Sequence, residues 1–464
     1  MSSNRRKFIK QLGSTIMLTS ASLASFAEVE AYEKRKLFAE KRISPSDKIR
    51  IATIGMGIMG FNDTRAALAA PGVELVAVCD LYQGRLQRAK EVFGIGIFTT
   101  NDYKEILARK DIDAVIVATS DNWHSQISIE AMRKGKAVYS EKPMVQSISE
   151  GLEEIWVQKE TKAVFQVGSQ RISSIAFKKA KELYQAGAIG QINSVEAAFN
   201  RQDALGAWQY TIPLDASTQT VWWDRFQGKE KLKLAYESNR FFRWRNYKEY
   251  GTGVAGDLFV HLLTGIHFIT NSRGPDKIYA IGGTYYWKDG RNVPDVMSAV
   301  INYPETPEHA PFQATLRVNF ISGEGDRTVT KIIGSEGVIE LSGEGEGFTI
   351  RKNKLPAAPG IGGWDSFSTY PEDMQKALMD DYNKKYSAAD QQRVQLPGVT
   401  FEAPADYSAH NEHLANFFDA IRTKKPVVED AEFGFRAAAP ALACNDSYFQ
   451  NKVINWDANQ MKLK

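Results

Sequence analysis

Lys48 to Gly60 reads KIRIATIGMGIMG, and this stretch decides the fold. Its first part is an isoleucine-rich apolar run bounded by glycine, the pattern of a buried parallel strand. Gly55-x-Gly57-x-x-Gly60 follows at once, and a helix-like stretch, FNDTRAALAA, begins at Phe61. Gly55 permits the tight turn, Gly57 lets the backbone approach a pyrophosphate, and Gly60 lets the helix sit close to the strand. The helix N-terminus, around Ile58 and Met59, then faces the phosphates. The next apolar run, VELVAVCD, ends at Asp80, about twenty residues beyond the glycines, where a carboxylate can accept hydrogen bonds from ribose hydroxyls. Such a carboxylate repels a 2′-phosphate, so the expected cofactor is NAD rather than NADP, with Arg85 and Arg88 nearby moderating the preference. A doubly wound domain with an empty switch point is the competing reading.

Working outward, the alternation continues. Asn101 to Lys110 has a helical pattern, Ile112 to Ala118 (IDAVIVA) reads as a strand, and Thr119-Ser120-Asp121-Asn122-Trp123-His124 follows it. Ser125 to Lys134 predicts a helix, Ala137 to Ser140 a strand ending at Glu141-Lys142-Pro143, Ile148 to Glu160 a helix, and Ala163 to Val167 a strand. Strands and helices at this pitch make an α/β Rossmann domain, a doubly wound parallel sheet with helices on both faces. Ligands of such sheets bind beyond the carboxyl ends of the strands. That places Thr119, Asn122, His124, Glu141 and Lys142 on the cofactor side.

At 464 residues the chain is too long for one ordinary domain. A hydrophobic content of 43% and a charged content of 24% exclude a wholly disordered or fibrous chain. The lack of a long uncharged apolar run excludes a polytopic membrane protein. The net charge of +3, from 58 basic and 55 acidic residues spread along the chain, is too small for a nucleic-acid footprint. The two cysteines, Cys79 and Cys444, make no zinc knuckle and no disulfide framework. The chain opens SNRRKFIK, then runs uncharged from Gln11 to Ala27 and closes on Ser25-Phe26-Ala27. A basic start, apolar middle and small-residue end predict a secretory signal over 1–27. Arg5-Arg6 followed by Phe8 makes it a twin-arginine type, and hence predicts a periplasmic or exported protein with no membrane span after its removal. Residues 28–47 read as a charged linker.

With GMGIMG, Asp80, ATSDNWH and EKP in order, the chain resembles the glucose–fructose oxidoreductase, inositol dehydrogenase and MocA (Gfo/Idh/MocA) family. VGSQRISSIAFKKAKELYQAGAIGQI at 167–192 is similar to that family's crossover into its second domain, and GTGVAGDLFVHLLTGIHF at 251–268 to its Asp-and-His helix. HLANFFDAIRTKKPV at 413–427 and ACNDSYFQNKVINW at 443–456 are similar to its C-terminal helices. The resemblance implies a nicotinamide cofactor, a sugar or polyol substrate, and a second α/β domain with an open, largely antiparallel sheet. Domains are therefore expected at 48–170 and 171–457. Such sheets commonly pair face to face, which implies a homodimer or homotetramer. Two departures stand out: Asn122 lies where some members carry a histidine, and residues 351–410 form a long Gly/Pro-containing insertion. That insertion is longer than a compact connection, and is compatible with covering the site or wrapping a partner subunit.

Hydride transfer from a sugar carbinol needs a ring facing the C–H bond, a base for the hydroxyl proton and a cation near the oxygen. Lys142 ends a strand where the cofactor should lie, and in the family the matching lysine contacts substrate and nicotinamide. Asp257 and His261 stand at i and i+4, on one face if helical. Alone the pair is compatible with a cap, a buried hydrogen bond or half a metal site. No third ligand stands at helical spacing, so no metal is expected. The resemblance makes His261 the proton acceptor and Asp257 a substrate ligand and His261's partner. Gln170 and Arg171 in the crossover, and Trp244 and Arg245, are the candidate substrate contacts. The last two belong to a segment, 199–250, dense in aromatics and arginines, which reads equally as a sugar-binding face or a packed insertion. His267 reads as a core histidine, and His309, His410 and His413 as loop or surface residues. NAD is scarce outside the cytoplasm, so an exported enzyme is expected to hold it tightly and regenerate it in place. Paired oxidation and reduction of two sugars, oxidation coupled to another acceptor, and redox-neutral glycoside cleavage each satisfy that, and a non-catalytic sugar or NAD sensor is the contrasting class.

Overall fold

The structure, a computed structural model, describes residues 48–228, 234–343, 345–392 and 396–464. The expected signal (1–27) and linker (28–47) lie outside the described residues. Six strands, β1 (Ile49–Ile54), β2 (Val73–Cys79), β3 (Phe98–Thr100), β4 (Ala114–Val117), β5 (Ala137–Ser140) and β6 (Phe165–Val167), form one parallel sheet in the order β3-β2-β1-β4-β5-β6. The order reverses between β1 and β4, and this switch point opens the crevice at the carboxyl ends of the strands. The helices between them are α1 (Ile58–Leu68), α2 (Gln83–Phe93), α3 (Tyr103–Ala108), α4 (His124–Arg133) and α5 (Ile148–Thr161). α3 is shorter than its sequence pattern, because Asp102 caps it by accepting from the Lys104 N–H and Arg109 has already left helical geometry.

After α6 (Ile175–Gln185) the chain enters a ten-stranded sheet: β7 (Ile192–Asn200), β8 (Lys277–Gly283), β9 (Val296–Tyr303), β10 (Phe312–Asn319), β11 (Arg327–Gly334), β12 (Gly337–Ser342), β13 (Gly347–Lys352), β14 (Val399–Glu402), β15 (Ile454–Asp457) and β16 (Lys462–Leu463). Only β7 and β10 pair in parallel; the other pairings are antiparallel. β9 and β10 alternate buried and half-buried or exposed residues, so one face of the sheet is covered and the other open. α7 (Val260–Thr270) lies on the covered face beside α6 and α10 (Ala431–Gln450). α10 also packs on α5, so closely that a Cβ at Gly151 would lie 2.1 Å from the Phe435 ring. α9 (Ala409–Thr423) returns to the first domain and packs on α1. The expected insertion carries α8 (Glu372–Lys385), which has no buried residue. Among the described residues no helix is long and apolar enough to cross a membrane. Both cysteines are buried and free.

Candidate active site

The glycine turn has the geometry its spacing predicts. Gly55 sits at φ +93°, and a Cβ there would lie 2.5 Å from the Ala118 carbonyl oxygen at the end of β4. A Cβ at Gly60 would lie 1.9 Å from the Gly55 oxygen, whereas one at Gly57 meets nothing within 4 Å. So Gly55 and Gly60 permit the close packing, and Gly57 leaves space open before the N-terminus of α1. That first turn has no side-chain cap and no acidic residue, which suits a bound pyrophosphate. Gly55, Gly57, Ile58, Met59, Asp80, Thr119, His124, Glu141 and Lys142 line one cavity, together with Trp244 and Arg245. Gly60 packs behind it. The Asp80 carboxylate accepts from the Met56 N–H (2.7 Å) and the Tyr82 N–H (2.8 Å), with Arg85 at 3.6 Å. One lone pair on each oxygen is left for ribose hydroxyls. Arg85 lines the cavity, whereas Arg88 is spent on Glu91. The donor set fits a dinucleotide.

At the far end of the cavity Lys142 is half-buried, its Nζ donating to Asp257 Oδ1 (2.9 Å) and to the Asp257 carbonyl (3.0 Å). Arg245 Nε donates to the same Oδ1 at 3.3 Å. Burial alone would push the Asp257 carboxyl up, but Lys142 and Arg245 outweigh it and hold that carboxyl well below the usual range. Asp257 was expected on the same α-helical face as His261 and as its partner. Residues Ala255–Phe259 instead form a π turn ahead of α7, and the carboxylate is committed to the two cations. His261 lies with its ring 6.1 Å from that of Phe199, its buried Nδ1 without a hydrogen-bond partner among the described residues. Burial, then Lys142 and Arg171, push its pKa well below the ordinary value. Arg171 and Arg201 stand over the same Phe199 ring, at 5.1 and 5.2 Å.

His124 ties the two strand-end turns together, with Nδ1 2.8 Å from the Pro143 oxygen and Nε2 3.2 Å from the Thr119 oxygen. Gln170 stays off the cavity wall and donates to Glu141 (2.8 Å) and Tyr139 (3.0 Å). Asn122 also lies outside the lining: its amide oxygen accepts from Ser120 and its backbone N–H donates to Tyr250. His267 is a core residue on Tyr303 (2.9 Å). His309 lies in a loop, as expected, though its side chain is buried; the expectation of a surface helix for His413 is corrected, since it is buried on its helix. His413 sits between Ser173 and the Val167 carbonyl because α9 docks on the first domain. His410, half-buried, meets Asp63 at 2.7 Å.

Burial, as the largest cause, pushes several buried carboxyls upward: Asp63, Glu154 and Glu429 well above the ordinary range, and Glu141 to about 8. Their folded pKa values exceed the unfolded ones. The stability they contribute is therefore complete below the ordinary carboxyl range and lost as pH rises through the folded values. For Glu141 that window runs from its usual 4.5 to about 8. Thermal melts are expected to show a falling Tm from pH 6 to 9, and Glu141→Gln to flatten part of the slope. A Tm that holds level or rises over that range contradicts this account.

The sequence did not single out Tyr103, Tyr210, Arg225, Phe226, Phe241 and Phe242 as cofactor-side residues, yet all line the same cavity. The aromatic segment turns out to be packed: Val221, Trp223, Phe226, Phe241, Phe242, Tyr247 and Tyr250 form one cluster with Tyr82 of the first domain.

Residues 49–169 match the GFO/IDH/MocA oxidoreductase family's NAD-binding Rossmann domain, and residues 230–340 its C-terminal domain. The chain is 29% identical over 213 residues to a glycosyl hydrolase family 109 protein of Shewanella baltica, covering 42% of this chain and 46% of that one. It is 31% identical over 145 residues to inositol 2-dehydrogenase of Salmonella typhimurium, covering 31% of this chain and 43% of that one. The chain thus spans about half the length or less of the curated relatives it matches. A levoglucosan dehydrogenase solved with NADH and levoglucosan shares the fold, with a TM-score of 0.62 at 18% identity over 88% of this chain and 99% of that one. With stretches of both domains matched, the chain belongs to the GFO/IDH/MocA oxidoreductase family, with an NAD-binding Rossmann domain.

Proposed function

We propose that the chain is an NAD-dependent oxidoreductase acting by hydride transfer at a hydroxyl-bearing carbon of a sugar, polyol or glycoside, with the cofactor tightly held. One observation carries the reading: the cavity lined by the glycine turn and Asp80 is also lined by Lys142, whose Nζ is held 2.9 Å from the Asp257 carboxylate. When bound, NAD supplies the hydride acceptor. The protein's own residues do the rest. Gly57 and the first turn of α1 hold the pyrophosphate, and Asp80 the ribose. Lys142 stabilises the oxygen as its proton leaves, and His261 takes that proton. Asp257 keeps Lys142 in place, and Arg245 balances Asp257. The wider reading includes export under the residue 1–27 signal and pairing of second-domain sheets into a dimer or tetramer.

The match to the Shewanella baltica glycosyl hydrolase family 109 protein favours a second reading. Here transient oxidation of a glycoside acidifies the neighbouring C–H, the aglycone is eliminated, water adds, and the hydride returns. Incubation of the purified protein with aryl glycosides and with free sugars separates the two. A sugar-dependent NADH absorbance without release supports net oxidation, whereas aglycone release without added NAD supports the redox-neutral route. Saturable sugar binding with neither signal sinks both and leaves a sensor.

A further inference from the structure

The dinucleotide cavity is not built by the first domain alone. Arg225, Phe226, Phe241 and Phe242 come from the second domain's aromatic segment and face the same space as Gly57 and Asp80. We propose that residues 215–242, 229–233 aside, form a strap that completes the adenosine half of the pocket and keeps the nucleotide bound from one turnover to the next; this rests on the NAD reading above.

Three sets of contacts fasten the strap to the first domain. At its start, Tyr82 and Val221 form an isolated antiparallel bridge, the Trp222 N–H donates to the Leu81 carbonyl (2.9 Å) and the Gln83 N–H to the Thr220 carbonyl (3.0 Å). The Tyr82 hydroxyl donates to Asp215 at 2.6 Å. In its middle, Arg225 is paired with Asp102 (3.2 Å) and held over the rings of Tyr103 (5.0 Å) and Trp123 (5.4 Å). Its buried Nε has no partner among the described residues, which leaves that donor unspent in a residue of the cavity wall. At its end, Arg85 stands over Phe241 and Phe242, at 5.9 and 5.5 Å, while also meeting Asp80 at 3.6 Å. One cation thus links the strap to the carboxylate that reads the ribose.

A nucleotide leaving by the adenosine end has to lift this seam. Ordinary exchange with free NAD is then slow, and a hydride taken from one sugar carbon is returned to a carbonyl before the next cycle. Neither Tyr82 nor Asp215 is part of the cavity lining, so weakening their hydrogen bond tests the seam without touching the nucleotide's own contacts.

The full chain is loaded with radiolabelled NAD, and loss of label into excess unlabelled NAD is followed for wild type, Asp215→Ala and Tyr82→Phe, with melting curves confirming that each is folded. Label in the wild type is expected to persist for hours. Each variant should release it about tenfold faster or more, the loss expected for one hydrogen bond to a charged acceptor. Wild-type exchange within seconds overturns the strap while leaving the oxidoreductase reading intact, as do variants that release label at the wild-type rate. Failure to take up NAD at all overturns that reading too.

Discussion

Lys142→Met lowers turnover by about 10²–10⁴-fold, the range for losing one proton-handling or charge-stabilising group, while the protein still takes up NAD. Methionine fills much the same apolar length, so the cavity keeps its shape. It cannot donate to a substrate oxygen, and it frees Asp257 Oδ1 from its 2.9 Å partner, leaving Arg245 at 3.3 Å. Asp257 thus keeps one cation and the fold is retained. Gly57, Asp80 and the α1 N-terminus, proposed above to hold the pyrophosphate and the ribose, are untouched by the change, so NAD binding followed by intrinsic fluorescence should match wild type. Steady-state kinetics with a turned-over sugar or aryl glycoside check the loss: kcat should fall far more than KM shifts, as for an interaction made mainly in the transition state. Turnover within threefold of wild type removes Lys142 from the chemistry. Loss of NAD uptake instead means that the lysine anchors the cofactor rather than the reacting oxygen.

What was legible in the sequence was whatever lies close along the chain. The strand, glycine turn, helix and Asp80 fall within residues 48–80, and their packing follows from local sterics, as the 1.9 Å approach of a Gly60 Cβ to the Gly55 oxygen shows. Lys142 was legible because EKP ends a strand. Its pairing with Asp257 was not, since the two are 115 residues apart and are joined only by the docking of two domains. The i, i+4 reading of Asp257 and His261 assumed α-helical geometry, and the π turn at Ala255–Phe259 alters that geometry and leaves the carboxylate to Lys142 and Arg245. His413 read as a loop or surface-helix residue because a helix by itself does not say which face is covered; the docking of α9 against Tyr139, Val167 and Ser173 covers it. The aromatic segment could be read as a sugar face or as packing, because composition does not say what a ring stacks on. Its bridge to Tyr82 packs it on the first domain, and seven of its residues line the cavity.

Asp257→Asn is expected to cost about 3–5 kcal/mol of folding stability, the penalty for breaking a buried ion pair from one side. Asp257 and Lys142 side chains are only 6% and 9% exposed, so water cannot take over the role of the lost charge. The amide is nearly isosteric and can still accept a hydrogen bond. The loss is therefore electrostatic: Lys142 and Arg245 are left facing each other across a neutral group. Urea unfolding measures it, and the double variant Lys142→Met, Asp257→Asn should recover much of it by removing one of the two cations, a coupling that additive effects would not produce. The pH dependence runs opposite to that of Glu141. Asp257's folded pKa lies below its usual 3.8, so its stabilisation is complete above that value and lost as pH falls through the folded one. Wild type should thus lose stability below about pH 4 more steeply than Asp257→Asn. Equal acid slopes, or a double variant no more stable than the single one, would show that the carboxylate is not what holds the two cations together, and Lys142 would lose the support that makes it a fixed donor at the reacting carbon.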